Sequence, residues 1–267
     1  MQKNMRKGTY EKMEINILKA KEAFKKYVQK YDIKDEKVLL KIKHTYKVVE
    51  NSKKIAERLN LSEEQKNLAQ LIALLHDIGR FEQLRIYNTF VDSMSVNHAE
   101  QGIKVLFEEN RIRDFIKTDK YDNIINKAII NHNRSNIEEG LDEETLLQAK
   151  IIRDSDKIDI YRVITEEKPE NVLTIKTDDM ESEKITDSIY KQFMKKEKLD
   201  YKNIKTNMDI IFTWLAYTYD FNFSKSKQEV MSQEFIDKIT SKVEYKDIET
   251  KQKIEIATKQ AKIYLNE

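Results

Sequence analysis

The chain is poor in residues that bend a backbone: 4 glycines and 1 proline among 267 residues, where ordinary usage of roughly 12% would place about thirty. Tight hairpins and Gly-rich phosphate loops depend on those residues, which argues against a β-sandwich, a β-barrel and a dinucleotide-binding α/β fold. Cysteine is absent, so disulfides, thiolate zinc sites, iron–sulfur clusters and cysteine nucleophiles are excluded. Neither sign of charge dominates: 49 basic and 47 acidic residues leave a net +2, and the signs are interspersed. That balance favours neither a nucleic-acid partner nor a membrane surface. The longest apolar run, Leu71 to Leu75, is far too short for a bilayer span, and Met1 to Lys30 lacks the apolar core of a signal peptide. A cytoplasmic protein is expected.

Charged residues make up 36% of the chain and hydrophobic ones 39%, the mixture of solvated faces and aliphatic stripes typical of amphipathic helices. The expected fold class is all-α. From Glu36 to Leu59, the residues Leu40, His44, Val48, Ile55 and Leu59 recur at helical spacing and put His44 on the buried stripe. From Ser62 to Ile78, Leu68, Leu71, Ile72, Leu75 and Ile78 keep the same period. Ser62 reads as an N-cap and Gly79 as the residue just past the helix end, which puts His76 and Asp77 in the last turn. Arg80 to Val96 loses periodicity and reads as a loop, and a helix resumes over Val96 to Phe107 with Gly102 one turn after His98.

Asp122 is expected to cap a helix whose face carries Ile125, Ala128, Ile129 and His132, followed by a loop from Asn133 to Gly140. Glu143 to about Thr165 forms a further helix, in which Asp156 interrupts a stripe of Ala149, Ile152, Ile160 and Val163. Lys168, Pro169 and Glu170 mark a break, and the stretch through Asp187 is polar. Helical patterning returns over Met208 to Tyr219, Phe235 to Val243 and Ile254 to Leu265. The resulting division is a helical extension over 1–35, a helical core over 36–165 and a C-terminal helical part, 166–267, of the same globular unit.

The protein has only four histidines, His44, His76, His98 and His132, and all sit on or at the ends of these helices. A single histidine on an apolar face is ordinarily a hydrogen-bonded core residue. Four imidazoles together with Asp77 and Asp156, converging between helices, suit one or two first-row divalent metals: Fe, Mn, Co, Ni or Zn.

With these residues in order, the chain resembles the HD-domain superfamily of metal-dependent hydrolases. The resemblance is carried by His44 in HTYKVV, His76 and Asp77 in ALLHDIGRF, and Asp156 in RDSDKID, with His98 in NHAEQGIKVL and His132 in AIINHN matching the expanded two-metal pattern. It covers about Lys41 to Val163 and implies an HD-type helical bundle with additional C-terminal helices packed on it. Asp154 competes for the last ligand position, but the superfamily's ligand precedes a Lys or Arg and an apolar residue, as in Asp156-Lys157-Ile158. The branch that hydrolyses cyclic dinucleotides carries a second histidine after His132 and a Gly-Tyr-Pro segment; this chain has Asn133 and no such segment.

The resemblance implies that Asp77 bridges two metals, with His44, His76 and Asp156 completing one site and His98 and His132 the other. A metal-bridging hydroxide would then attack a small phosphorylated substrate, a nucleotide foremost. Arg80 and Lys157 are expected to neutralise phosphate charge beside Asp77; Arg85, Arg134 and Arg153 read more simply as ordinary solvated charge. Two other readings remain open: a mixed-valent diiron oxygenase of the same superfamily, similar to myo-inositol oxygenase, and a non-catalytic nucleotide-binding regulator. Among aromatic residues, Phe81, Tyr87 and Phe90 are favoured for stacking on a base because their segment links two ligand-bearing helices. Trp214, Tyr217 and Tyr219 read as core.

Overall fold

In the computed structural model the described residues, 14–167, 177–197 and 199–267, are helical and contain no strand. None of their helices is long and apolar enough to cross a membrane. The fold is all-α. The expected extension over 1–35 lies partly outside the described residues, as does much of the polar break after Lys168.

Helix α1 spans Ile17–Val28, α2 Glu36–Arg58, α3 Glu63–Leu75 and α4 Ile78–Tyr87. Asp35 caps α2 by accepting the Lys37 N–H, and Ser62 with Gln65 forms a reciprocal capping box on α3. Helix α5, His98–Ile103, runs into a π turn, Lys104–Glu108, and is followed by α6 (Ile112–Phe115), α7 (Asp122–His132) and α8 (Glu143–Glu166). Beyond these lie α9 (Thr177–Ser182), α10 (Asp187–Met194), α11 (Asp209–Ala216), α12 (Ser224–Ser232), α13 (Phe235–Thr240) and α14 (Ile248–Asn266).

Helix α8 is the axis of the molecule. It packs on α2, α3 and α7 along one side and on α12 and α13 along the other. One apolar cluster, built on α1 to α7, includes Phe24, Val48, Leu71 and Ile129, while a second, holding Ile158, Tyr161, Phe212 and Ile254, joins α8 to the C-terminal helices. Because both sides are covered, α8 is buried at Ile151, Ser155, Ile158 and Tyr161, off the expected stripe, as well as at Ala149 and Ile152 on it, while Ile160 and Val163 are only half-buried.

Three local expectations need correction. Gly79 does not terminate a helix: α3 stops at Leu75, and Gly79 is the second residue of α4. Its role is close approach, since a Cβ there would lie 2.3 Å from the His98 carbonyl oxygen and 2.4 Å from the Gly102 nitrogen, where α4 meets α5. The segment from Arg80 is therefore helical up to Tyr87; its period is obscured because a fully buried Gln83 stands among Ile78, Phe81 and Leu84. Asp122 does not cap α7. It is the first helical residue and its carboxylate accepts from Arg113 instead.

Candidate metal centre

The chain ends α3 at Leu75, places His76 in the cap position, and turns at Asp77 into α4. The last carbonyls of a helix have no partner within it. His76 uses one of them, donating Nδ1–H to Ala73 O at 2.7 Å, and His132, the last residue of α7, donates in the same way to Ile129 O at 2.6 Å. His44 lies in the middle of α2, where no carbonyl is free, and donates Nδ1–H to Asp159 Oδ2 at 2.7 Å. His98, at the start of α5, donates Nδ1–H to Asp92 Oδ2 at 2.6 Å. A carbonyl or carboxylate oxygen can only accept, so each ring carries its proton on Nδ1 and turns an Nε2 lone pair inward.

All four Nε2 atoms converge on Asp77 and Asp156. Asp77 Oδ2 lies 3.5 Å from His44 Nε2 and 3.6 Å from His76 Nε2, whereas Oδ1 lies 3.5 Å from His98 Nε2 and 3.8 Å from His132 Nε2. One carboxylate thus faces two pairs of histidines with its two oxygens. Asp156 Oδ1 joins the first pair, 3.1 Å from His44 Nε2 and 3.6 Å from His76 Nε2. The six residues fall into overlapping groups whose donor atoms all lie within 4.8 Å of one another.

The donor set fits a cation. His98 Nε2 and His132 Nε2 stand 3.0 Å apart, and with both Nδ1 protons committed the contact is between two lone pairs. His76 Nε2 is fully buried with no hydrogen-bond partner. Buried acceptors facing one another are costly unless a proton or a metal ion lies among them.

Burial pushes the His98 ring down to about 4, which favours the neutral, ligating form. Burial and Lys41 also oppose charge on His44, but its hydrogen bonds to Asp156 and Asp159 carry it above the usual histidine range. Burial would raise the Asp77 carboxyl, yet Lys41, donating to Oδ2 at 2.8 Å, and His76 hold it well below the ordinary carboxylate range. Asp156 is likewise held low against burial by His44 and His76.

A cavity of about 400 Å³ opens over this cluster, its far wall formed by the C-terminal part through Leu199, Thr213, Ala216, Tyr217, Tyr219 and Asp220. Lys157 lines it with Nζ 2.8 Å from Asp220 Oδ2. Burial, then the Arg153 charge, lowers the Lys157 ammonium below the ordinary lysine range. Arg80 also lines the cavity, but its Nη1 is held by Gln83 Oε1, Phe90 O and Asp92 Oδ1.

Arg134 pairs with Glu138, and Arg85, exposed, pairs with Glu82. Arg153 is not solvated charge: it is 2% exposed and tied to Asn131 O, Arg134 O and Asp220. Asp154 is turned away from the histidines and accepts from the Asn222 and Phe223 N–H groups.

The aromatic expectation holds for Trp214 and is corrected for Phe81, Tyr217 and Tyr219. Phe81 packs in the core against Phe24, Tyr27 and Tyr31, Tyr87 is exposed, and Phe90 lies under Lys41 and Arg80. Tyr217 and Tyr219 are the aromatic residues that line the cavity, whereas Trp214 is buried in the second core cluster. Asp92, Asp159, Lys41 and Asp220 join the site without having been expected there. Asp159 stands one turn past Asp156 and Lys41 one turn before His44, so helical spacing could have flagged both; Asp92 lies outside any period, and Asp220 is distant in sequence.

Compared with known families, residues 42–161 match the family described as HD domain. No curated protein and no solved structure gave a match.

Proposed function

From the match of residues 42–161 to the HD domain family, whose members are mostly metal-dependent hydrolases, we propose that this chain is a metal-dependent phosphohydrolase acting on a nucleotide or another small phosphoester. The observation that carries the reading is the inward convergence of four Nε2 lone pairs on Asp77 and Asp156, with His98 and His132 facing each other at 3.0 Å. His44, His76, Asp77 Oδ2 and Asp156 would hold one divalent ion, and Asp77 Oδ1, His98 and His132 a second; Fe, Mn, Co, Ni and Zn all suit imidazole and carboxylate donors. When bound, such ions supply a water acidic enough to react near neutral pH and a Lewis acid toward the phosphoryl oxygen.

The chain's own residues do the rest. Asp159, Asp92 and the carbonyls of Ala73 and Ile129 fix which nitrogen of each ring carries the proton. Lys157 brings positive charge to the cavity wall and Arg80 to the side nearer Asp77, where both would offset phosphate charge.

The test combines metal analysis with turnover of p-nitrophenyl phosphate and nucleoside phosphates by protein depleted of metal and reloaded with Mn²⁺, Co²⁺ or Fe²⁺. Replacement of His76 or Asp77 by Ala is expected to abolish metal retention and phosphate release while the circular dichroism stays helical. Obligatory iron with oxygen uptake would instead identify an oxygenase, and saturable nucleotide binding without product a regulator. Either result replaces the hydrolase reading.

A further inference from the structure

The cavity above the metal centre is rich in cations, yet each of them already has a carboxylate. Lys41 Nζ is 2.8 Å from Asp77 Oδ2, Arg80 Nη1 2.8 Å from Asp92 Oδ1, and Arg134 Nη1 2.7 Å from Glu138 Oε2. Lys196 faces Glu267 at 3.5 Å. Arg153 Nη2 and Lys157 Nζ both converge on Asp220 Oδ2, at 2.5 and 2.8 Å. A polyphosphate brings several negative charges and needs unpaired cations to receive them.

Asp220 is the group that decides this on the far wall. It reaches the cavity from the 3₁₀ turn Tyr217–Asp220, which follows α11, and the next residues are pinned to α8 by the buried Asp154 carboxylate. That carboxylate accepts from Asn222 N at 2.9 Å, Asn222 Nδ2 at 2.8 Å and Phe223 N at 3.0 Å. The Asp220 side chain is 31% exposed while Lys157 and Arg153 beneath it are 7% and 2%, so the carboxylate rather than the cations meets whatever enters. Glu197 adds a second carboxylate to the same wall. Between these charged pairs the wall offers the uncharged surfaces of Ile160, Leu199, Ala216 and Tyr217.

Resting on the phosphohydrolase reading, we propose that Asp220, by occupying both Arg153 and Lys157 and with Glu197 beside it, makes the site selective for a phosphomonoester with an uncharged, nucleoside-sized body over di- and triphosphates, whose further phosphates would need those cations. The reaction is hydrolysis. Water forms a new bond to phosphorus, the ester P–O bond breaks with its electron pair going to the leaving oxygen, and a proton from the water completes the alcohol. Only one phosphate must sit by the metal centre; the rest of the substrate lies against Ile160, Leu199, Ala216 and Tyr217, and further phosphates would have to compete with Asp220 for Arg153 and Lys157. An internal competitor of this kind sets a difference between substrates rather than the affinity for one.

The experiment compares nucleoside 5′-mono-, di- and triphosphates of one base with Mn²⁺-loaded protein, measuring the nucleoside or shorter nucleotide formed. The wild type is expected to favour the monophosphate over the triphosphate by about tenfold or more in kcat/KM. Asp220→Asn should raise the triphosphate-to-monophosphate ratio by about tenfold, while Asp220→Glu, which keeps the charge, restores the wild-type ratio. The ratio is independent of the amount of correctly folded enzyme, so a loss of stability alone leaves it unmoved.

If Asp220→Asn does not fold, Glu197→Gln at the more exposed position makes the same test, with an expected rise of about threefold because solvent screens that charge. A wild type that prefers the triphosphate, or a ratio unmoved by the folded, metal-loaded variant, overturns the proposal and leaves the hydrolase reading standing. No product from any of these substrates or from p-nitrophenyl phosphate overturns both.

Discussion

Asp159 Oδ2 accepts the Nδ1 proton of His44 at 2.7 Å, one helical turn beyond Asp156 on α8, which itself reaches the other nitrogen of the same ring. Two carboxylates on one helix therefore hold one imidazole from α2 by both ends. Asp159 is 1% exposed and is braced in turn by Arg162, whose Nε and Nη2 donate to it at 2.6 and 2.9 Å. A carboxylate behind a ligating histidine fixes the tautomer and increases the basicity of the nitrogen that faces the metal. Asp159→Asn is accordingly expected to weaken metal binding about 10- to 100-fold with no change in helix content. A metal titration in a competing chelator, beside a far-ultraviolet circular dichroism spectrum, measures both; unchanged affinity removes Asp159 from the site.

Asp92 stands behind His98 as Asp159 does behind His44, but at the opposite pair of histidines. Its other oxygen accepts from Arg80 and Gln83, which ties the loop after α4 back to the start of α5. Asp92→Asn should weaken the ion held by His98 and His132 about 10- to 100-fold and spare the one held by His44, His76 and Asp156. Calorimetric titration with Mn²⁺ would show one binding event shifted and the other retained. Equal weakening of the two events contradicts the division of the site by Asp77.

The six residues of the candidate metal centre were legible because histidine is rare here and because helical spacing places His44 and Asp156 on apolar stripes. What supports them was less so. Asp159 shares the 3.6-residue period and could have been read; Asp92 could not, since it lies in a segment without periodicity and is fixed by contacts with Arg80 and Gln83. The Arg80 to Tyr87 helix was hidden by the buried Gln83, a polar residue on a face that periodicity expects to be apolar. The cavity wall escaped for another reason: Tyr217 and Asp220 come to the site only through the packing of the C-terminal part on α8, and no local pattern encodes a contact across more than fifty residues.

Gly79 and Gly102 separate these two kinds of information in an experiment. A Cβ at Gly79 would meet backbone atoms, His98 O at 2.3 Å and Gly102 N at 2.4 Å, and backbone at a helix crossing cannot turn aside as a side chain can. At Gly102 the nearest atoms, Gly79 N and Ile78 Cγ2, are at 3.4 and 3.5 Å, ordinary or nearly ordinary contact. Gly79→Ala should therefore force α4 from α5 at a cost of about 1–3 kcal/mol or more, each kcal/mol lowering Tm by roughly 2–4 °C in a protein of this size. It should also weaken metal retention, because His98 starts the displaced helix. Gly102→Ala should shift Tm far less, and equal shifts for the two variants would contradict the close crossing.

Asp154 and Asp156 are two positions apart on α8, and both carry carboxylates that could have been the metal ligand. Asp156 meets His44 and His76, whereas Asp154, fully buried, accepts from the backbone N–H groups of Asn222 and Phe223 and from the Asn222 amide. Asp154→Ala leaves those donors without an acceptor, and an unsatisfied buried donor costs about 1–3 kcal/mol. The expected result is a lower Tm and faster proteolysis within residues 217–223, with metal still bound by the folded fraction. Asp156→Ala removes a carboxylate from a cluster of buried lone pairs and should leave the Tm of metal-depleted protein close to wild type while metal content falls sharply. Thermal unfolding in the presence of chelator, paired with metal analysis of each purified variant, separates the two roles. If Asp154→Ala loses metal at an undiminished Tm, the ligand has been assigned to the wrong carboxylate.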